Sequence, residues 1–259
     1  MRVAFVEWPE GLEAGDAAWS AIRARVREAV PQVLVTNEMP FGPWLAAAAR
    51  YDDGRARDSI RSHEAGLEAL RMLDLPLILS SRPVRAGERL ANEAFALEGG
   101  IYRALHQKHY FPAEEGWFEA GWFQTAVPGF EAVTVAGLRV GVMLCTELMF
   151  NEHARAYGRA GADLIVAPRA TGAPHEEWKI AGAMAALVSG SYVVSSNRVG
   201  AGARGPGFGG CGFAFAPGGR LLGETSAAMP LVTFDLDLVL AAGAKKQYPC
   251  YVPETARSA

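Results

Sequence analysis

Three residues of this chain are of types that together can do covalent chemistry. Cys145 ends the apolar run "GLRVGVMLC", has an acid, Glu147, two places on, and is followed by an amphipathic segment. A thiol at a strand-to-helix elbow sits beside a helix N-terminus, which lowers its pKa, and beside backbone N–H groups that can receive an oxyanion. The same place also suits a buried structural cysteine, a common fate of a free thiol. Glu38 closes "VLVTNE", the exit of a strand expected inside a sheet, and ligands of open α/β sheets gather at such strand ends. Lys108 stands in "ALHQKHYFP", between strand-like residues and a proline. Each charge alone reads as an ordinary rim residue. Taken together, Glu38, Lys108 and Cys145 supply a base, a fixed cation and a soft nucleophile, the parts of an acyl-transfer site.

Elements that position them alternate along the whole chain. Apolar runs predict strands at 2–8, 32–40, 75–84, 163–168, 191–199 and 230–238. Helical periodicity covers 14–30, 59–74, about 151–160 and 176–190. Residues 89–111 read as two strands around "EGG", 131–145 as a hairpin turning at Ala136-Gly137, and 211–225 as a second hairpin. Hairpins mixed with β–helix–β units predict an α/β protein with a mixed sheet, or two sheets, and helices outside. With no repeat and no composition break, residues 1–259 read as a single domain, with a polar, proline-containing tail over 241–259.

Composition narrows the function classes. Hydrophobic residues make up 50% and charged residues 20%, enough to bury a sizeable core. A formal charge of -3 offers no basic field for nucleic acid or an anionic membrane, and no apolar run has membrane-spanning length. The start "MRVAFVEWPEG" reads as strand and turn rather than a secretory leader, so a cytoplasmic location is expected. Cys145, Cys211 and Cys250 are widely spaced, without metal-ligand spacing, and Cys211 and Cys250 read as structural.

Several stretches resemble the nitrilase superfamily of carbon–nitrogen hydrolases, over about residues 2 to 238. "LVTNEMPF" resembles its glutamate strand, "YRALHQKHYFP" its lysine segment and "GVMLCTELMFNEHARAYGRAGADLIVAPRA" its cysteine elbow. "SGSYVVSSNRVG" and "FGGCGFAFAPGGRLL" are similar to its later strand and hairpin. The resemblance implies an α-β-β-α sandwich with mixed sheets, no cofactor and no metal. It implies Glu38 as general base, Lys108 as oxyanion stabiliser and Cys145 as the nucleophile that forms a thioester. A second glutamate is also implied. The register of "GWFEAGWF" favours Glu119, as in carbamoylputrescine-type amidases, with Glu115 as the alternative. The implied substrate is a small amide or N-carbamoyl compound. Nitrile hydrolysis, amine-dependent acyl transfer and a catalytically silent scaffold are the alternatives. The resemblance also implies a homodimer or larger homo-oligomer, through "HARAYGRA" and "EWKIAGAMAALV", with the tail from Ala241 reaching a neighbouring subunit.

Departures from the family bear on the substrate. Thr146 follows the cysteine where an aromatic is common, Asn151-Glu152 replaces Pro-Glu, and Cys211 stands where a serine is common. Leu148 and Met149 replace the arginine that carbamoylases of amino acids use for a carboxylate, which points to a neutral or apolar substrate. Pro112 to Glu115 lack the run typical of nitrilases. Thr146, Arg169, Trp44 and Glu115 are candidate substrate-binding residues. Trp117, Phe118, Trp122, Phe123 and Trp178 suit either a pocket wall or packing. His109 can reach the site from beside Lys108, whereas His106, His153 and His175 show no zinc spacing. "GAGARG" (200–205) satisfies GxGxxG, but "PGFGGCG" follows it and cannot start the helix a dinucleotide site needs.

Overall fold

The computed structural model describes residues 1–202 and 205–255. Its strands are β1 (Arg2–Pro9), β2 (Val33–Val35), β3 (Leu77–Ala86), β4 (Arg89–Glu98), β5 (Ile101–Gln107), β6 (Val133–Val135), β7 (Leu138–Val142), β8 (Leu164–Val166), β9 (Tyr192–Ser195), β10 (Asn197–Ala201), β11 (Gly207–Gly209), β12 (Phe213–Phe215), β13 (Leu221–Glu224) and β14 (Leu231–Asp235). Its helices are α1 (Ala17–Ala29), α2 (Asp53–Arg71), α3 (Glu119–Trp122), α4 (Asn151–Arg159), α5 (Glu176–Ser189) and α6 (Leu238–Ala244).

Period-two alternation of apolar residues builds the layers. Val3, Phe5, Val33, Val35, Leu77 and Leu79 face Val140, Val142, Leu164, Val166 and Val194 in the core between two sheets. The residues between them point the other way: Ala4, Leu34 and Ile78 meet Trp19, Ile22 and Leu70 of α1 and α2, while Ile165 and Val193 meet Tyr157 and Ala185 of α4 and α5. The result is an α-β-β-α sandwich. One sheet runs β11-β10-β1-β2-β3-β4-β5 with β14 also on β1, and the other runs β13-β12-β9-β8-β7-β6. Both mix parallel and antiparallel pairs.

Topology gathers the site at one end. β1, β2 and β3 are parallel, and β5, two antiparallel steps beyond β3, runs the same way, so the exits of β2 and β5 share an edge. In the other sheet β7, β8 and β9 are parallel and deliver Cys145 and Arg169 to the rim. A backbone bond joins the two rims, Glu38 N–H donating to Arg169 O at 3.2 Å, and within the second rim Cys145 N–H donates to Pro168 O at 2.9 Å.

Two sequence expectations change. The strand expected over 191–199 breaks at Ser196: β9 stays in the second sheet and β10 pairs with β1 in the first. α2 starts at Asp53, earlier than the periodicity indicated, because Asp52 caps it by accepting from Arg55 N–H. The tail from Ala241 begins inside α6, and Arg155 of α4 holds the carbonyls of Pro249 and Val252 and the carboxylate of Glu254. Residues 203 and 204 of "GAGARG", and 256–259 of the tail, lie outside the described residues. The flanks of that glycine stretch are β10 and β11, an antiparallel pair rather than a strand–helix unit.

Candidate active site

Lys108, Glu38 and Glu119 meet in a fully buried cluster. Lys108 Nζ donates to Glu38 Oε1 at 2.8 Å and to Glu119 Oε2 at 2.6 Å. Glu38 comes from the exit of β2, Lys108 from the exit of β5, and Glu119 from the first turn of α3. Carboxylate oxygens of Glu38 and Glu119 and the sulfur of Cys145 lie within 4.8 Å of one another. An ammonium offers three N–H donors, so two bonds to carboxylates leave one free. Glu38 Oε2 and Glu119 Oε1 are buried without a protein partner, which leaves acceptor capacity beside the sulfur.

Electrostatics set the resting protonation. Burial works against the Lys108 charge, but Glu119 and Glu38 outweigh it and hold the ammonium well above its ordinary range. Burial pushes the Glu119 carboxyl up to about 8 against the pull of Lys108. Cys145 departs from the sequence expectation. Its thiol is pushed up rather than down, because burial and the nearby Glu38 and Glu119 outweigh Lys108. The expected helix N-terminus does not reach it, since a 3₁₀ turn over Cys145–Met149 intervenes before α4. Cys145 itself has φ +51°, the left-handed region that costs a non-glycine residue about 1–3 kcal/mol.

A cavity of about 210 Å³ opens over the cluster. Cys145, Thr146 and Glu119 line it, with Trp117, Trp178, Thr171 and Pro112 as walls and Glu114 and Glu177 at exposed positions. Among the described residues, no Lys, Arg or His lines it. The volume is below the usual range for drug-sized ligands and suits a small molecule.

Other candidates fall elsewhere. Glu115 is exposed and outside the cluster. Arg169 does not line the cavity: its Nε, Nη1 and Nη2 donate to Ser195 Oγ, Thr171 Oγ1 and Cys211 O, so it braces β8 against β9 and the later hairpin. Trp44 also lies away from the cavity, donating from Nε1 to Gly116 O and packing on Phe208. His109 turns from the cavity and stacks on His106. Atoms of His106, His109 and Glu147 approach within 4.8 Å, but both Glu147 oxygens already accept N–H groups.

Sequence reading missed Asn92 and Arg198. Asn92 Nδ2 donates to Glu38 Oε1 at 2.7 Å while its backbone carbonyl accepts from the Lys108 backbone N–H at 2.9 Å, so one β4 residue ties both. An asparagine inside the apolar "LANEAFAL" was the available signal, since strands disfavour it. Arg198 pairs with Glu10 and binds the Met39 carbonyl, fixing the turn after Glu38.

Comparison with known proteins places the chain among hydrolases of carbon–nitrogen bonds. The sequence model of the carbon–nitrogen hydrolase family, "Carbon-nitrogen hydrolase", matches residues 67–246. An (R)-stereoselective amidase of Pseudomonas sp is 28% identical over 183 residues, 70% of this chain, and the match spans 65% of that enzyme. The crystal structure of a carbon–nitrogen hydrolase from Helicobacter pylori G27 superposes with TM-score 0.83 at 18% identity, covering 97% of this chain and 94% of that one. An amidase mutant from Nesterenkonia sp. AN1, which shows Michael addition of acrylamide at its active-site cysteine, superposes with TM-score 0.77 at 19% identity, covering 93% of this chain and 95% of that one.

Proposed function

The chain belongs to the carbon–nitrogen hydrolase family, and on that premise we propose that it hydrolyses the C–N bond of a small amide through a thioester on Cys145. The observation that carries this reading is the buried set of Glu38, Lys108, Glu119 and Cys145, of which Cys145 and Glu119 reach the wall of one small cavity and Glu38 and Lys108 lie behind them. Because the thiol is pushed up, it rests protonated, and attack needs a base within reach. Glu38 takes the thiol proton as Sγ bonds to the carbonyl carbon and the π pair moves to oxygen. The free N–H of Lys108 stabilises that oxyanion. Collapse restores the carbonyl and breaks the C–N bond, with the proton on Glu38 passing to the leaving nitrogen. Water, deprotonated by Glu38, then cleaves the thioester and the thiol is regenerated. Glu119 holds Lys108 in place and, protonated near neutral pH, keeps the buried cluster near electrical balance.

The Pseudomonas relative's activity and the acrylamide adduct of the Nesterenkonia amidase support an amide as substrate class. A cavity lined by glutamates and tryptophans, with no cation among the described residues, favours an amide that carries no negative charge. Ammonia release from simple aliphatic amides tests the reading. Wild type should release it and Cys145→Ala should not, and equal release by both proteins would sink it.

A further inference from the structure

Glu147, the acid two residues beyond the nucleophile, is a fully buried carboxylate that the mechanism above leaves unused. Its Oε2 accepts from Leu144 N–H at 2.7 Å and lies 2.8 Å from His106 Nε2. Its Oε1 accepts from His109 N–H at 2.7 Å. Leu144 directly precedes Cys145, and His109 directly follows Lys108. One side chain therefore holds the backbone next to both reacting groups, across the two sheets of the sandwich. The bond to Leu144 is reciprocated, since Glu147 N–H donates to Leu144 O at 3.1 Å, closing the turn in which Cys145 is held at φ +51°. His106 is buried in turn, and Phe130 N–H donates to its Nδ1 at 3.4 Å, which fixes Nε2 as the protonated nitrogen facing Glu147.

Resting on the thioester reading, we infer that Glu147 is a positioning residue that clamps the Cys145 turn to the Lys108 segment, with His106 orienting its carboxylate. Both oxygens are needed, because each meets an N–H donor. An amide in their place turns one acceptor into a donor facing another donor. A strained turn and a segment from the other sheet then lose their common anchor, and a misplacement of about 1 Å can cost about 10²-fold in rate.

The test compares wild type, Glu147→Gln, His106→Phe and His106→Gln, each first checked for folding by its thermal midpoint. Two readouts follow: kcat and KM on a turned-over amide, and the rate of Cys145 alkylation by iodoacetamide across pH. The inference expects Glu147→Gln to lower kcat and the alkylation rate together by tenfold or more, with KM within about threefold. It expects His106→Phe to lower both by a smaller factor and His106→Gln, which keeps a donor, to restore them. Wild-type kcat and alkylation in a folded Glu147→Gln would overturn it. If Glu147→Gln does not fold, the histidine pair decides: equal rates in His106→Phe and His106→Gln overturn the clamp, and rescue by His106→Gln supports it. A wild-type Cys145 that is inert to alkylation, in a protein that turns over no amide, overturns the thioester reading itself. A reactive wild type with an equally reactive Glu147→Gln removes the clamp alone.

Discussion

Replacing Lys108 with methionine keeps an unbranched side chain one atom shorter and removes the charge that separates two buried carboxyls. Glu38 and Glu119 would then face each other, fully buried, with no cation at 2.6–2.8 Å. With Glu119 already protonated in the wild type, the one carboxylate left in the cluster loses its counter-charge while buried, so the folded variant must hold one more carboxyl proton than wild type near neutral pH. In the wild type Glu119 is already pushed up to about 8. Holding a further carboxyl protonated at pH 7.5, three pH units above its ordinary 4.5, costs about 4 kcal/mol at about 1.4 kcal/mol per unit. This matches the roughly 3–5 kcal/mol found when one partner of a buried ion pair is removed. The sign follows from linkage: the folded variant binds more protons than the unfolded chain above pH 4.5, so its deficit relative to wild type grows with pH and shrinks toward pH 4.5. Urea unfolding of both proteins at pH 5 and 7.5 measures this directly. Lys108→Met combined with Glu38→Gln and Glu119→Gln should recover most of the loss at pH 7.5 and remain inactive. A Lys108→Met protein as stable as wild type at pH 7.5, or with a deficit equal at both pH values, would refute the reasoning.

His63 is buried and its ring is held down at about 4, chiefly by burial, so it folds neutral. Its folded pKa lies below the ordinary 6.5, so stability is lost as pH falls from 6.5 toward 4, by roughly 3 kcal/mol in total; His63→Gln should flatten that limb in urea titrations. An amide bearing a carboxylate should show a kcat/KM about tenfold or more below its neutral isostere, and Glu114→Gln with Glu177→Gln should narrow the gap. Gly141 in β7 has the Tyr157 ring 2.6 Å from where a Cβ would sit, so Gly141→Ala should destabilise by about 1–3 kcal/mol in the same assay. Ile180, Met184 and Leu187 form an exposed apolar stripe on α5, within the stretch expected at a subunit contact; Ile180→Glu should shift sedimentation toward monomer.

Local chemistry made most of the elements legible. Alternation along β1, β2 and β8 is strict enough to reveal which residues face the inner core and which the helices. The cysteine, lysine and glutamates were visible as residue types in recognisable settings, and the backbone brings Glu38, Lys108, Glu119 and Cys145 together. What sequence could not reveal depends on which distant segments touch. The break at Ser196 sends two halves of one apolar run into different sheets, and periodicity does not record a change of partner. Arg169 looked pocket-facing from its place at a strand exit, but its guanidinium is taken up by Ser195, Thr171 and Cys211. The thiol was expected to be activated at rest, which follows from a helix N-terminus but not from burial beside two carboxyls.

Intact mass measurement milliseconds to seconds after mixing with small amides tests the central claim most directly. The account predicts a mass gain equal to the acyl group on wild type, absent from Cys145→Ala and prolonged when the water step is slowed by Glu38→Gln after acylation at high substrate. An acyl adduct that persists on Cys145→Ala, or turnover of an amide by that variant, would contradict it.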